Sequence, residues 1–309
     1  MSTTGSKGLQ ATITSAMLAL GGVIGWLWPI SFTSVDWVRI ILISAPLLWA
    51  PLAVAAGGIL VPVPTRMLRF FFPAALLFAF SFLLPATRAA GLCALPWLLL
   101  ALWLAFRAAT GLIAGKEYAL SRLCATAAYL YLVVGAVWAL AGRLGVALFG
   151  FDPVISLLTA VHFHFAGFLL LLLTGLALRG WGSPLASVVG WLSLVGPLLV
   201  AIGIFATHLE APEGLELLAA SVMATGGAGV AIRHLQLGIG PSQGEGGRFY
   251  WLLGGILLLG GMVLALLYGW RSVYPIALLS IPWMYAVHGS VNAAAMALLV
   301  VGWLRKGAK

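Results

Sequence analysis

The chain has 309 residues, 63% of them hydrophobic and only 7% charged, with 16 Lys and Arg against 7 Asp and Glu. A soluble domain carries about 25% charged residues, so a soluble globular chain is excluded. The aliphatic and aromatic content excludes disorder, and a cysteine count of 2 excludes a disulfide scaffold.

With a mean hydropathy of +1.13, the solvent for most of this sequence is lipid. A helix needs about 20 apolar residues to cross about 30 Å of hydrocarbon. Ten stretches meet that test: 10–31, 36–61, 67–85, 89–114, 123–148, 154–178, 185–207, 213–236, 249–270 and 275–304. The first follows Lys7 and ends in Trp26 and Trp28. It is long, and no small-x-small cleavage site follows, so it reads as a retained helix and not a secretory signal. Pro62 to Pro64 close the second stretch, Pro85 the third and Gly115-Lys116-Glu117 the fourth. Asp152 before Pro153 reads as the cap of the sixth. Gly182-Ser183-Pro184 opens the seventh, Glu210 to Pro212 form the hairpin before the eighth, and Tyr274-Pro275 precedes the tenth. The loop from Gly238 to Arg248 is rich in Gly but lacks a following Gly-Lys-Ser/Thr, so it reads as a linker and not a phosphate cradle. No run alternates apolar and polar residues as a membrane barrel strand would. The predicted fold class is therefore all-α: a polytopic transmembrane helical bundle of about ten spans, one integral membrane domain over 1–309 with no soluble domain.

Basic residues set the expected orientation. With the N-terminus cytoplasmic, Lys7, Arg66, Arg69, Arg107, Lys116, Arg122, Arg179, Arg233, Arg248, Arg305, Lys306 and Lys309 fall inside, and Arg39, Arg88, Arg143 and Arg271 outside. The expected location is a bacterial inner (plasma) membrane with both termini cytoplasmic. The basic balance then serves anionic head groups, and no nucleic-acid partner is implied. Trp26, Trp28, Trp37, Trp181, Trp251, Trp270 and Trp303 fall near span ends and read as an interfacial belt. Gly21-x-x-x-Gly25 and Gly226-Gly227-x-Gly229 read as close helix contacts. Cys93 and Cys124 lie at opposite ends of their spans, too far apart to pair.

Polar groups inside spans are costly and point to function by default. His162 and His164 lie in the sixth span, His208 at the outer end of the seventh, and Glu213 and Glu216 share a face at the start of the eighth. His288 sits mid-span in the tenth, with Asn292 four residues on and on the same face. On a helix, positions two apart differ by about 200°, so His162 and His164 point to opposite sides unless the helix is deformed. The expectation is a shared polar pocket in the outer half of the bundle. Its candidate catalytic residues are His162, His164, His288 and Glu216, and its candidate substrate contacts are Asn292, His208, Glu213 and Tyr285. Against this stand blander readings: a packed imidazole bonded to a backbone carbonyl for either His of the sixth span, and a solvated hairpin for Glu210 and Glu213. His234, beside Arg233, reads as interfacial, and Tyr129 and Tyr131 as ordinary span residues. Neutral imidazoles and a carboxylate can move protons, bind a metal or ligate a haem. Proton chemistry ranks first, without a cofactor or metal; no His-Glu-x-x-His or Cys/His cluster is present.

The stretch Thr159-Ala160-Val161-His162-Phe163-His164-Phe165-Ala166-Gly167-Phe168, with His288-Gly289 and Asn292-Ala293 late in the chain, resembles the YndJ-like family of bacterial integral membrane proteins. The resemblance implies a polytopic membrane protein of a kind sometimes labelled a transporter, and it carries over no catalytic residue. Three functions follow as expectations. The first is an intramembrane enzyme of isomerase or cyclase type, acting on a lipid or other lipophilic small molecule by acid/base chemistry: isomerisation, cyclisation or hydration. The second is a proton-coupled transporter using the same groups as a relay. The third is a haem- or metal-binding membrane protein.

Overall fold

A computed structural model describes residues 33–212, 214–240, 245–272, 274, 276 and 279–307. Among these residues the chain is helical, with no strand. The helices are α1 (Val35–Gly57), α2 (Thr65–Leu68 and Phe71–Ser81), α3 (Arg88–Gly115), α4 (Leu120–Leu144), α5 (Pro153–Leu178), α6 (Pro184–His208), α7 (Gly214–Ile239), α8 (Glu245–Gly269) and α9 (Ile281–Lys306). Eight of the described helices are long and apolar enough to cross a membrane. The exception is α2, where the predicted third span is broken at Arg69 and Phe70. Both keep helical torsions, but Pro73 supplies no N–H to the Arg69 carbonyl four residues back, so the ladder opens there. The predicted first span and Glu213 lie outside the described residues.

Local chemistry sets the ends. Thr87, Asp152 and Ser183 each accept a backbone N–H in the first turn of their helix, Asp152 Oδ1 from Val154 N at 2.7 Å. Gly145, with φ of 73°, stops α4 at Leu144, short of the predicted 148. The last helix starts at Ile281, later than the predicted 275, with Pro282 in its first turn.

Six helices close a ring. Going round, α1 packs on α5, α5 on α6, α6 on α7, α7 on α8, α8 on α9, and α9 back on α1. Glycines permit the close approaches: a Cβ at Gly226 of α7 would lie 2.8 Å from the Ser193 backbone nitrogen of α6, and one at Gly255 of α8 would lie 2.9 Å from Leu235 of α7. The helices α2, α3 and α4 back this ring, with α4 against α5 and α2 between α3 and α1. Phe71, Phe78, Trp97, Tyr129 and Phe168, each at most 2% exposed, fill the space between backing and ring. Outward faces carry large apolar residues; Leu92, Phe106, Ile113, Leu218 and Ile239 are 63% to 69% exposed. Such a surface is at rest only in lipid. Three of the expected interfacial tryptophans do other work: Trp251 is wholly buried, Trp37 donates to Ser290 Oγ and Trp303 donates to His234. Cys93 and Cys124 are both free.

Three π-helical turns interrupt the ring helices, at Ala45–Trp49 of α1, Phe163–Leu170 of α5 and Met284–Gly289 of α9. Pro46 lies in the first and Pro51 just beyond it, and each removes an N–H from the local ladder. Such turns recur at functional sites, and two of these three adjoin or contain a histidine.

Candidate functional site

The ring encloses a cavity of about 1020 Å³. Its walls are apolar over most of their area, supplied by residues such as Ile41, Ile155, Phe165, Ile204, Met223 and Met262. Two helices measure its depth. Ten residues of α5 run from the Asp152 cap to His162, and ten of α6 separate Thr207 from Pro197, each about 15 Å at 1.5 Å per residue. Beyond that depth the wall continues as Phe165, Ala166, Leu170 and Met296, all apolar, and the lower part of α5 contacts α7 and α9. The polar groups in the wall fall at the two ends of this shaft: a floor of His162, His288 and Asn292, and a rim of Asp152, Thr207, His208, Glu216 and Arg271.

At the floor, His162 Nε2 lies 3.2 Å from the Pro197 carbonyl of α6. A carbonyl only accepts, so Nε2 carries the proton and Nδ1 keeps its lone pair, with no hydrogen-bond partner among the described residues. Across from it, His288 Nδ1 lies 2.9 Å from the Gly261 carbonyl of α8 and donates to it. The Asn292 amide nitrogen is 3.1 Å from either ring nitrogen of His288; only Nε2 is free to accept, so the amide donates there. Asn292 is 7% exposed, packs against Gly261, and its Oδ1 is buried without a hydrogen-bond partner among the described residues. Tyr285, one turn before His288, also lines the cavity, and its hydroxyl donates to the Thr33 carbonyl at the start of α1.

At the rim, Glu216 Oε1 pairs with Arg271 at 2.8 Å, and its Oε2 accepts from Thr207 at 3.0 Å. Arg271 donates as well to the Tyr268 carbonyl at 3.0 Å and lies 3.9 Å from the centre of the Tyr268 ring. Its guanidinium thus has a carboxylate, a carbonyl and a ring against it, and the side chain stays a third exposed. His208 packs on Phe151 with ring centres 4.4 Å apart. Six of the eight residues singled out from sequence therefore line one cavity: His162, His208, Glu216, Tyr285, His288 and Asn292.

His164 does not. It points away, as the two-residue offset requires, into the packing between α5 and the backing helices. Its Nδ1 donates to the Ala160 carbonyl at 2.8 Å and its Nε2 accepts from Trp97 Nε1 at 2.9 Å. Gly135 of α4 makes room for it; a Cβ there would stand 2.7 Å from His164 Nδ1. His234, read from sequence as interfacial, is buried and held in the same way, Nδ1 to the Val230 carbonyl at 2.9 Å and Nε2 from Trp303 Nε1 at 3.0 Å.

The sequence reading missed Arg271, Tyr268 and Thr207 as companions of Glu216. One signal was available: Arg271 is among only four basic residues assigned to the same end of the bundle as Glu216, and a carboxylate near lipid needs a cation. Among the described residues, no three His, Cys, Asp or Glu side chains converge in a way that would hold a metal ion. For a haem, His162 has Nε2 committed to Pro197, and His288 has both ring nitrogens engaged.

Comparison with known proteins gives one family. The pattern of the YndJ-like protein family matches residues 40–296. A relative from Bacillus subtilis (strain 168), described as the uncharacterized membrane protein YndJ, is 30% identical over 183 residues. That match takes in 58% of this chain and 32% of the relative, so the chain spans about a third of the length of the curated relative it matches. No solved structure matches the chain.

Proposed function

The chain belongs to the YndJ-like family and is a multi-pass membrane protein, and from that premise we propose that it is an intramembrane enzyme. It takes a lipophilic small molecule into the ring cavity and moves protons on it, in an isomerisation, cyclisation or hydration. The observation that carries this reading is the concentration of imidazole and amide groups at one depth of an otherwise apolar shaft. His162, with a lone pair on Nδ1, is the base. His288, with both ring nitrogens engaged by Gly261 and Asn292, orients the Asn292 amide toward a substrate oxygen, and His162 itself gives back the proton it took. The carboxylate of Glu216 is already held by Arg271 and Thr207, so its part is to orient at the rim and not to donate a proton. The rim faces away from the cytoplasm of a bacterial inner membrane, because Arg39, Arg88, Arg143 and Arg271 are the only basic residues described at that end and ten others lie toward the opposite one.

The transporter reading uses the same residues but needs a second way into the cavity, and the contacts of α5 with α7 and α9 stand where that route would run. Conversion in detergent separates the two, since a micelle offers no compartments to transport between. Purified protein incubated with a bacterial lipid extract is expected to deplete one lipid and form one product by mass spectrometry, with both changes lost in His162→Ala and His288→Ala. An extract left unchanged by the intact protein, while vesicles accumulate solute through it, would overturn the enzyme in favour of the carrier.

A further inference from the structure

The charges of the cavity say what kind of lipid it takes. Its wall holds two carboxylates, Asp152 and Glu216, and one guanidinium, Arg271. The guanidinium is neutralised by Glu216, bonded to the Tyr268 carbonyl and laid on the Tyr268 ring. Among the described residues of this wall an anionic head group, whether carboxylate or phosphate, meets no unpaired cation and an excess of negative charge at the rim. Burying it there would carry the cost of an uncompensated ion.

The floor is polar but holds no formally charged side chain. It offers one acceptor and one donor: Nδ1 of His162 has no hydrogen-bond partner among the described residues, while Oδ1 of Asn292 is buried against Gly261 and out of reach. The Asn292 amide nitrogen keeps a second N–H beyond the one given to His288. A hydroxyl, which donates one hydrogen and accepts another, answers both needs. A carbonyl or an ether brings no hydrogen and leaves the His162 nitrogen unmet. Between floor and rim run about 15 Å of apolar wall.

Resting on the enzyme reading above, we propose that the substrate is an uncharged lipid alcohol that enters hydroxyl first. Its oxygen lies against His162 and Asn292, its hydrocarbon fills the shaft, and the Glu216–Arg271 pair turns anionic lipids away at the rim.

Three probes with one branched carbon skeleton test this: farnesol, farnesyl diphosphate and the hydrocarbon farnesane. Each is offered to the full chain in phosphatidylcholine nanodiscs, and retained ligand is counted by native mass spectrometry. Farnesol is expected to be held at least tenfold better than either of the others. Glu216→Gln, which leaves Arg271 without its counter-charge, is expected to raise retention of the diphosphate about tenfold relative to farnesol. Because that variant gains a ligand, misfolding cannot imitate the result. His162→Ala is expected to bring farnesol down to the level of farnesane. Equal retention of diphosphate and farnesol by the unsubstituted chain, or a diphosphate still excluded from Glu216→Gln, would overturn the charge argument. Equal retention of farnesane and farnesol would overturn the hydroxyl. Retention of none of the three also counts against the proposal, and conversion of a lipid extract by the same preparation would show that the enzyme reading had survived it.

Discussion

Two histidines two residues apart in α5 live in different worlds. His164, wholly buried, has both ring nitrogens occupied, one by a backbone carbonyl a turn earlier and the other by the Trp97 indole. His162 has one nitrogen occupied and the other open toward a cavity. Both are imidazoles in the membrane interior, and both incur the desolvation that makes intramembrane polar groups scarce. Whether the ring's hydrogen bonds are complete is what separates them: a satisfied imidazole rigidifies the packing and has nothing left to exchange, while an unsatisfied one can take a proton or a ligand. Depth in the membrane and residue type do not distinguish the two roles; the count of partners on the ring does.

The sharpest way to break this comparison is to exchange the two losses. His162→Ala is expected to lower conversion of the lipid substrate by about 100-fold to 10,000-fold, the range for removing a general base, with little change in stability. His164→Ala is expected to do the reverse. It leaves the Trp97 N–H buried without an acceptor and opens a void against α3, together costing about 2–5 kcal/mol. Stability is read as the midpoint of thermal unfolding in detergent, followed by labelling of the buried thiol of Cys124. Stability lost in His162→Ala with activity lost in His164→Ala would reverse the assignment. Gly135→Ala is a gentler probe of the same packing. The added methyl stands 2.7 Å from His164 Nδ1 and 3.1 Å from the Phe163 Cβ, and crowding of that kind costs about 1–3 kcal/mol. A midpoint equal to that of the unsubstituted chain would mean that α4 and α5 do not grip this ring.

How much of this could be read beforehand follows from what a sequence can carry. The cost of burying a polar group is local, so His162, His288, Asn292 and Glu216 stood out against apolar runs without any knowledge of contacts. The opposite facing of His162 and His164 came from helical spacing alone. The span limits came from Pro and Gly, within a few residues. What stayed hidden was pairing across long separations. Trp97 and His164 are 67 residues apart, and Glu216 and Arg271 are 55 apart. Nothing in either neighbourhood shows that the other exists, so Trp97 passed as part of an apolar run and Arg271 as one of four basic residues on the outer side. Trp251 and Trp303 were misread for the same reason: position near a span end suggests the interface, and only packing shows that one is wholly buried and the other bonded to His234. The break in α2 had a local cause in Pro73, but hydropathy alone passes over it.

The second histidine–tryptophan pair gives the smallest test and the most discriminating one. His234 and Trp303 join α7 to α9 by the arrangement that joins α5 to α3, with hydrogen bonds of 2.9 and 3.0 Å, yet Trp303 is only half-buried. Trp303→Phe keeps an aromatic ring and removes one N–H, leaving His234 Nε2 without its donor. Because water or a head group can reach this site and supply another, the expected cost is about 1 kcal/mol, and lipid conversion should not change. A larger loss of stability would mean that the pair is as dry as Trp97 and His164. A loss of conversion at unchanged stability would mean that the far end of α9 sets the position of His288, about four turns of helix from Trp303, and the line drawn between closed and open imidazoles would then have to be redrawn along the helix and not around the ring.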